Sequence, residues 1–189
     1  MTNPKGYLTG FFFGDGGSYH VGNGHWQDRF HGNINDLARI DEVAAQLGVT
    51  LRWRKKSGSE SYVATWPAKQ RSLLELERYH GLNGYTRSMQ RTPPDLDYDS
   101  FIEGLWDADG CCLMSCSQSQ VAPFKTLRIE LANSTLIREV FEYLRSRGLD
   151  LSVRYLKKKS SLRVRAKDYQ RFRELFKLQP YKQEVLELI

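Results

Sequence analysis

An α+β fold built from two pseudo-symmetric halves is what this 189-residue sequence predicts, and three observations carry the expectation. A nine-residue motif is written twice, ninety-four residues apart. The same order of helix-like and strand-like segments follows each copy, and the strand-like segments alternate apolar and polar residues. The expected order in each half is αββαββα, with the sheets packed beside two central helices in contact.

The first central helix, over 5–15, runs through Leu8-Thr9-Gly10-Phe11-Phe12-Phe13-Gly14-Asp15-Gly16, and the second, over 98–109, through Ile102-Glu103-Gly104-Leu105-Trp106-Asp107-Ala108-Asp109-Gly110. Gly10 and Gly14 are four apart, as are Gly104 and Ala108, so each pair makes a side-chain-poor stripe on one helix face. Two such stripes let helix backbones approach more closely than leucine-lined faces could, the soluble counterpart of small-residue packing in membranes. Leu8, Phe11, Phe12, Leu105 and Trp106 anchor each helix in its own half. Gly16 and Gly110 are expected to take the left-handed conformation that often ends a helix.

Asp15 and Asp109 are the ionisable residues that the two copies share in register. Placed at the C-terminal ends of two touching helices, they meet the negative pole of each dipole and each other's charge. A divalent cation with oxygen ligands relieves both penalties, and Mg²⁺ takes one or two carboxylates together with waters and substrate phosphates. An EF-hand reading of Asp107-Ala108-Asp109-Gly110 fails, because the later oxygen ligands and the closing Glu are missing.

The remaining elements follow in order. Strands near 17–24 and 26–33 precede a helix near 36–47, capped by Asn35 or Asp36, with Leu37, Ile40, Ala44 and Leu47 on one face and Gly48 at its end. Strands near 49–55 and 61–66 flank Lys56-Ser57-Gly58-Ser59, and Pro67 opens a helix near 68–80. The second half repeats this. Strands near 112–119 and 124–131 precede a helix near 134–147, capped by Asn133 or Ser134 and ended by Gly148. Strands near 149–157 and 162–166 and helices near 168–178 and 181–188 complete the copy. Pro93-Pro94-Asp95 marks 87–98 as a semi-rigid linker between halves 1–86 and 99–189.

Composition narrows the function. The chain carries 28 basic and 22 acidic residues, a net charge of +6, with 40% hydrophobic content; the balance favours a polyanionic partner. No apolar run approaches membrane-spanning length and the N-terminus opens no secretory pattern, so an intracellular, reducing location is expected, cytoplasmic in a prokaryote or organellar. Cys111, Cys112 and Cys116 cluster without a distant partner and read as strand or core thiols.

The strands carry a nucleic-acid signal. In Leu51-Arg52-Trp53-Arg54 the arginines share one face and the apolar residues the other, and Leu162-Arg163-Val164-Arg165 repeats the pattern. Leu127, Ile129 and Leu131 likewise oppose Arg128 and Glu130. Such ribbons can enter a major groove, where Arg reads guanine and Gln adenine. The expected DNA-contacting set is His25, Gln27, Arg29, Arg52, Arg54, Gln118, Gln120, Arg128, Arg154, Arg163 and Arg165, with Lys55, Lys56, Lys157 and Lys158 on phosphates at hairpin ends.

Both motif segments resemble the signature helix of the LAGLIDADG homing endonucleases, the second almost letter for letter in Asp107-Ala108-Asp109-Gly110. The first copy is looser, with Phe13 where Asp107 stands in the second, so Asp107 is not half of a symmetric pair. The spacing is similar to that of single-chain, two-motif members and covers essentially the whole chain, and the resemblance implies two antiparallel sheets forming a DNA-binding saddle around two central packed helices. The resemblance implies a site-specific nuclease that acts as a monomer on a long, asymmetric double-stranded DNA target and leaves a double-strand break with short 3′ overhangs. It implies Mg²⁺, with Mn²⁺ substituting, held by Asp15, Asp109 and the carbonyls of Gly14 and Ala108, the metal activating the attacking water. Family members often add a basic residue that organises water; Lys182, then Arg87, are assigned that role here. An RNA-binding splicing maturase acting on intron RNA, or a non-cleaving DNA-binding protein, is the alternative on the same fold.

Overall fold

Two apolar helices make the centre of the molecule. In the computed structural model, which describes residues 2–115, 124–132 and 135–188, α1 spans Pro4–Asp15 and α2, α3 and α4 span Ile34–Ala45, Gly84–Ser88 and Tyr98–Asp109. Asn3 caps α1 by accepting the Gly6 N–H at 3.0 Å, with Pro4 in the first turn, and the Asp97 carboxylate caps α4 by accepting the Ser100 N–H at 2.8 Å. The caps also touch across the pair, since the Asn3 N–H donates to Ser100 Oγ at 2.7 Å.

The two helices run parallel, starting together and ending together. A Cβ on Gly6 would lie 2.6 Å from the Asp97 carbonyl oxygen; one on Gly10 would be driven into the Phe101 carbonyl, one on Gly104 into the Tyr7 carbonyl, and one on Gly14 into the Ala108 methyl. This is backbone-to-backbone contact. Tyr7, Leu8, Phe11 and Phe12 on one helix, and Phe101, Ile102, Leu105 and Trp106 on the other, are fully buried, each large side chain contributing about 1.5–3 kcal/mol.

Each helix feeds a four-stranded antiparallel sheet. β1 (Gly16–His20), β2 (Trp26–Gly32), β3 (Trp53–Lys55) and β4 (Tyr62–Thr65) take the order β1-β2-β4-β3. β5 (Gly110–Ser115), β6 (Phe124–Ala132), β7 (Leu151–Tyr155) and β8 (Lys159–Val164) repeat it as β5-β6-β8-β7. Since β1 and β5 begin where the parallel helices end, they form the inner edges of the two sheets, and β3 and β7 the outer ones. Phe30, Ala64, Ile129 and Leu162 turn inward, where α2 and α5 (Thr135–Ser146) and the later helices α6 (Tyr169–Leu175) and α7 (Pro180–Leu188) enclose the core.

Several expectations need correction, each for a local reason. Gly16 and Gly110 are extended, at φ −103° and −73°, not left-handed. Glycine is needed there for space: a Cβ on Gly16 would meet the carbonyl of Phe12 at 2.6 Å, and one on Gly110 would strike Trp106. The glycines that are left-handed just after α-helices are Gly48 and Gly148, at φ 68° and 81°. Asn33 caps α2, with Asp36 closing the capping box, so neither Asn35 nor Asp36 is the cap residue. β1 stops at His20 because Gly22, Asn23 and Gly24 turn the chain with positive φ.

The helix expected near 68–80 is instead two 3₁₀ segments, Ala68–Leu73 and Leu76–Tyr79, separated by left-handed Glu75. Buried Asp28 draws this stretch onto the back of the sheet, pairing with Arg71 Nε at 2.7 Å and His80 Nε2 at 3.2 Å and accepting Ser18 Oγ at 2.6 Å. α6 ends at Leu175, before 178, because buried carboxylates of α4 claim the next amides: Lys177 N–H donates to Glu103 at 2.8 Å and Gln179 N–H to Asp107 at 2.9 Å. The linker begins after Ser88, since Arg87 and Ser88 belong to α3 and are buried. Asn133 and Ser134 lie outside the described residues.

Gly104→Ala should be more damaging than an ordinary Gly→Ala change on a helix, which is normally favourable. Overpacking against a backbone carbonyl is expected to cost about 1–3 kcal/mol or more, lowering Tm by about 2–4 °C for each kcal/mol. A calorimetric Tm equal to wild type would contradict the direct backbone contact.

Candidate functional site

Parallel packing brings the two motif aspartates to one end of the helix pair. A Cβ built on Gly14, the residue before Asp15, would lie 3.2 Å from Asp109 Oδ2, so the two carboxylates share a site. Burial, then repulsion from Asp109 and Asp36, raises Asp15 to about 7, against the opposing pull of Lys182. Burial raises Asp109 to about 6, opposed by Lys182 and Arg87. Two dipole ends and two carboxylates thus concentrate negative charge in a half-buried spot.

A buried cation closes each helix end. Lys182, near the start of α7, donates from Nζ to the carbonyl oxygens of Trp106, Asp107 and Gly110 at 2.8, 2.5 and 3.0 Å. Arg87 of α3 donates from Nη2 to the Phe13 carbonyl at 3.2 Å and lies over the Phe12 ring, its carbon 5.0 Å from the ring centre. Phe13 and Asp107 hold the same place in the two motif copies, so the caps correspond, as do the helices that carry them. Lys182, expected from the resemblance to organise water, places its ammonium on three carbonyls at the end of α4, as a C-terminal cap and electrostatic neighbour of the aspartates. The sequence signal for it was its placement as the second half's counterpart of Arg87.

Phe13 and Asp107, where the copies differ, support the helices from opposite chemistries. Phe13 packs edge-on against Tyr79 and Phe101, with ring centres 5.0 and 5.6 Å away. Asp107 is buried, accepts Tyr7 Oη and the Gln179 N–H at 2.9 Å each, and is raised by burial to about 7. Sequence reasoning missed Asp36, Gln179 and Tyr181. Asp36 is buried and accepts Tyr181 Oη at 3.2 Å, tying α2 to α7 beside the site; a capping-box acid facing a residue 145 positions away leaves no local signature.

The sheet faces away from the helices carry most of the expected contact residues. Strand register puts Tyr19, Gln27, Arg29, His31, Arg54, Val63 and Thr65 on one face of the first sheet. With Arg52 just before β3, the arginines border a hollow of about 620 Å³. On the second sheet, Cys111, Arg128, Glu130, Ser152, Arg154, Lys159, Ser161 and Arg163 share the outer face, and Arg165 continues it. His25 sits in the turn after β1, donating its N–H to the Gly22 carbonyl at 2.9 Å. Lys56, Lys157 and Lys158 are exposed beyond the strand ends. Lys55 departs from the basic face: its parity is that of Trp53, and it pairs with Glu60 at 3.2 Å. Gln118, Gln120 and Cys116 lie outside the described residues. Cys112 is a core thiol, pushed up by burial to about 12.

The same architecture occurs in solved structures. I-GzeII in complex with its DNA target superposes with a TM-score of 0.66 at 10% identity, over 99% of this chain and 88% of that one. I-AabMI, a LAGLIDADG meganuclease bound to uncleaved DNA, gives 0.63 at 13% identity over 97% and 87%. I-DmoI in complex with DNA and Ca gives 0.60 at 19% identity over 99% and 98%. The chain has the LAGLIDADG homing-endonuclease fold. No protein-family profile matches the sequence, and no curated protein does.

Within this LAGLIDADG fold the donor set at the helix ends consists of oxygen. Among the described residues no three His, Cys, Asp or Glu side chains gather to hold an ion, so a cation there needs carbonyl, water or phosphate oxygens beside Asp15 and Asp109. The carbonyls of Gly14 and Ala108 are suited to it, because Arg87 and Lys182 engage Phe13, Trp106, Asp107 and Gly110 instead. Oxygen donors with two carboxylates fit a hard divalent cation.

Two measurements test this electrostatic account. Asp15, Asp109 and Asp107 are all raised above the ordinary carboxylate value of 3.8, so the folded chain holds more protons than the unfolded one between about 4 and 7. That stabilising contribution is full below the unfolded value and is lost as pH rises through 6 to 7. The metal-free protein should melt lower at pH 8 than at pH 5.5, and Asp15→Asn should raise Tm at pH 8 and flatten the dependence; no gain at pH 8 would refute it. Lys182→Met should cost about 1–3 kcal/mol in urea unfolding, the penalty for stranding buried carbonyls, whereas Lys158→Met should cost almost nothing.

Proposed function

We propose that this chain is a site-specific, divalent-metal-dependent homing endonuclease that makes a double-strand break in duplex DNA. The observation that carries the reading is the pair of aspartates at adjoining helix ends, set between two sheets whose outer faces bear arginines. Asp15 and Asp109, with the carbonyls of Gly14 and Ala108, would hold the metal, which when bound lowers the pKa of an attacking water and stabilises charge on the phosphoryl oxygens. A pure binding protein gains nothing from two anions facing a phosphate backbone.

The chain's own groups supply the rest. Arg87 and Lys182 fix the helix ends, and so the spacing of the carboxylates, and offset part of their charge. Lysines at the hairpin ends contact phosphates and set the register, while the strand faces read base edges. The halves differ there, with Gln27 on one face and Glu130 on the other, which favours an asymmetric target. One aspartate per half suits one cut in each strand, and short 3′ overhangs are the proposed product. Mg²⁺ is the proposed ion, with Mn²⁺ substituting; the I-DmoI structures are described with Ca, Mn and Mg. Both halves reside in one chain, so a monomer suffices, acting inside the cell. No helix of the described residues is long and apolar enough to cross a membrane.

The test is incubation with Mg²⁺ and a randomised duplex library, followed by sequencing of cut ends. Wild-type protein should yield a defined site, and Asp15→Asn and Asp109→Asn should each lower double-strand cleavage by about 10²- to 10³-fold or more, the scale of losing an electrostatic contributor at the reacting centre, while retaining binding. Cleavage by either variant at the wild-type rate would remove that aspartate from the mechanism. Binding of intron RNA without any DNA cutting would favour a splicing role.

A further inference from the structure

Arg29 and Arg128 occupy equivalent places in the two sheets. Arg29 pairs in register with Gly17, two residues beyond Asp15, and Arg128 with Cys111, two residues beyond Asp109. Both lie on the second strand from the inner edge and on the face away from the helices. Small residues stand opposite each across the inner edge. Of the arginines on the two faces, these two stand nearest the aspartates along the strand ladders.

Each guanidinium has an oxygen partner two residues away on its own strand, by a hydrogen bond for Arg29 and by an ion pair for Arg128. Arg29 Nη2 donates to Gln27 Oε1 at 2.8 Å, and its carbon lies 4.9 Å from the centre of the Tyr19 ring. Arg128 Nη1 pairs with Glu130 Oε1 at 3.4 Å, and Glu130 is itself held by Lys159 at 2.8 Å. One Nη of each fork is engaged, and Arg128 Nε is buried, so base contact from Arg128 would come from the Nη end of its guanidinium. A phosphate contact needs charge alone, but reading a base edge needs a fixed plane. Arg128 also stands directly opposite Arg163; like charges placed so are unfavourable in a sheet and are relieved by an acceptor between them.

We propose that Arg29 and Arg128 are paired specificity-determining residues, each selecting a guanine in the major groove on its own side of the cut. The inference rests on the DNA-cleaving reading above and adds its base preference. Because a pseudo-two-fold axis relates the arginines, the two guanines should lie at equal distances from the centre of the target and on opposite strands. Gln27 and Glu130 act as positioning residues, keeping the forks aimed.

The test is binding selection from a randomised duplex library in metal-free buffer, so that affinity and not cutting is read. Wild type should enrich guanine at two symmetric positions. Arg29→Ala should lose about 5- to 150-fold discrimination at one of them and Arg128→Ala at the other, the range expected for one bidentate base contact. Arg29→Lys, which keeps the charge, should not restore the preference, and Gln27→Ala should broaden the same position as Arg29→Ala. Uniform weakening across all sequences, with a salt slope shallower by about one unit, would mark phosphate contacts and overturn the proposal while leaving DNA binding intact. Absence of any duplex binding by wild type would instead overturn the nuclease reading and this proposal with it.

Discussion

The contact of Gly10 with Phe101 and of Gly104 with Tyr7 is the constraint on which the rest of the molecule depends. Helices separated by leucine-sized side chains would still pack, but their ends would be held farther apart. With backbone on backbone, two parallel helices deliver their last residues to one place and launch β1 and β5 from it. Sheet position, the shared carboxylate site and the orientation of the outer faces all follow from that approach.

The same approach has an electrostatic cost. Parallel dipoles put both negative poles together, and each pole carries an aspartate. Arg87 and Lys182 answer this from outside the signature helices, each delivered by a short helix that follows its own sheet. Their caps differ in strength: Lys182 satisfies three carbonyls, Arg87 one. The remaining excess of negative charge shows in the raised carboxylates, and it is the physical reason that a cation is complementary to this spot.

The halves diverge in side-chain chemistry at matching places. Phe13 meets aromatic rings where Asp107 meets two donors, yet both hold a helix against the following segments. On the outer faces, Gln27 and Glu130 orient equivalent arginines with different chemistries. An architecture of this kind keeps the paired aspartates equivalent while the outer faces of its two sheets differ.

The motif repeat, the small-residue stripes and the alternation in Leu51-Arg52-Trp53-Arg54 and Leu162-Arg163-Val164-Arg165 are local patterns. From them the sequence by itself determined the element order, the two halves and the two shared aspartates, because periodicity and spacing survive without knowledge of neighbours. Positions decided by distant partners were not legible. Gly16 and Gly110 read as left-handed ends but serve as gaps for Phe12 and Trp106. The stretch after Pro67 has helix-like composition, but Asp28 draws it out of α geometry. The ammonium of Lys182 meets the carbonyls of Trp106, Asp107 and Gly110, over seventy residues away, a contact with no local signature. Only the tertiary structure decides such roles, because each is set by a hydrogen bond, a charge or a steric limit supplied by residues remote in the chain.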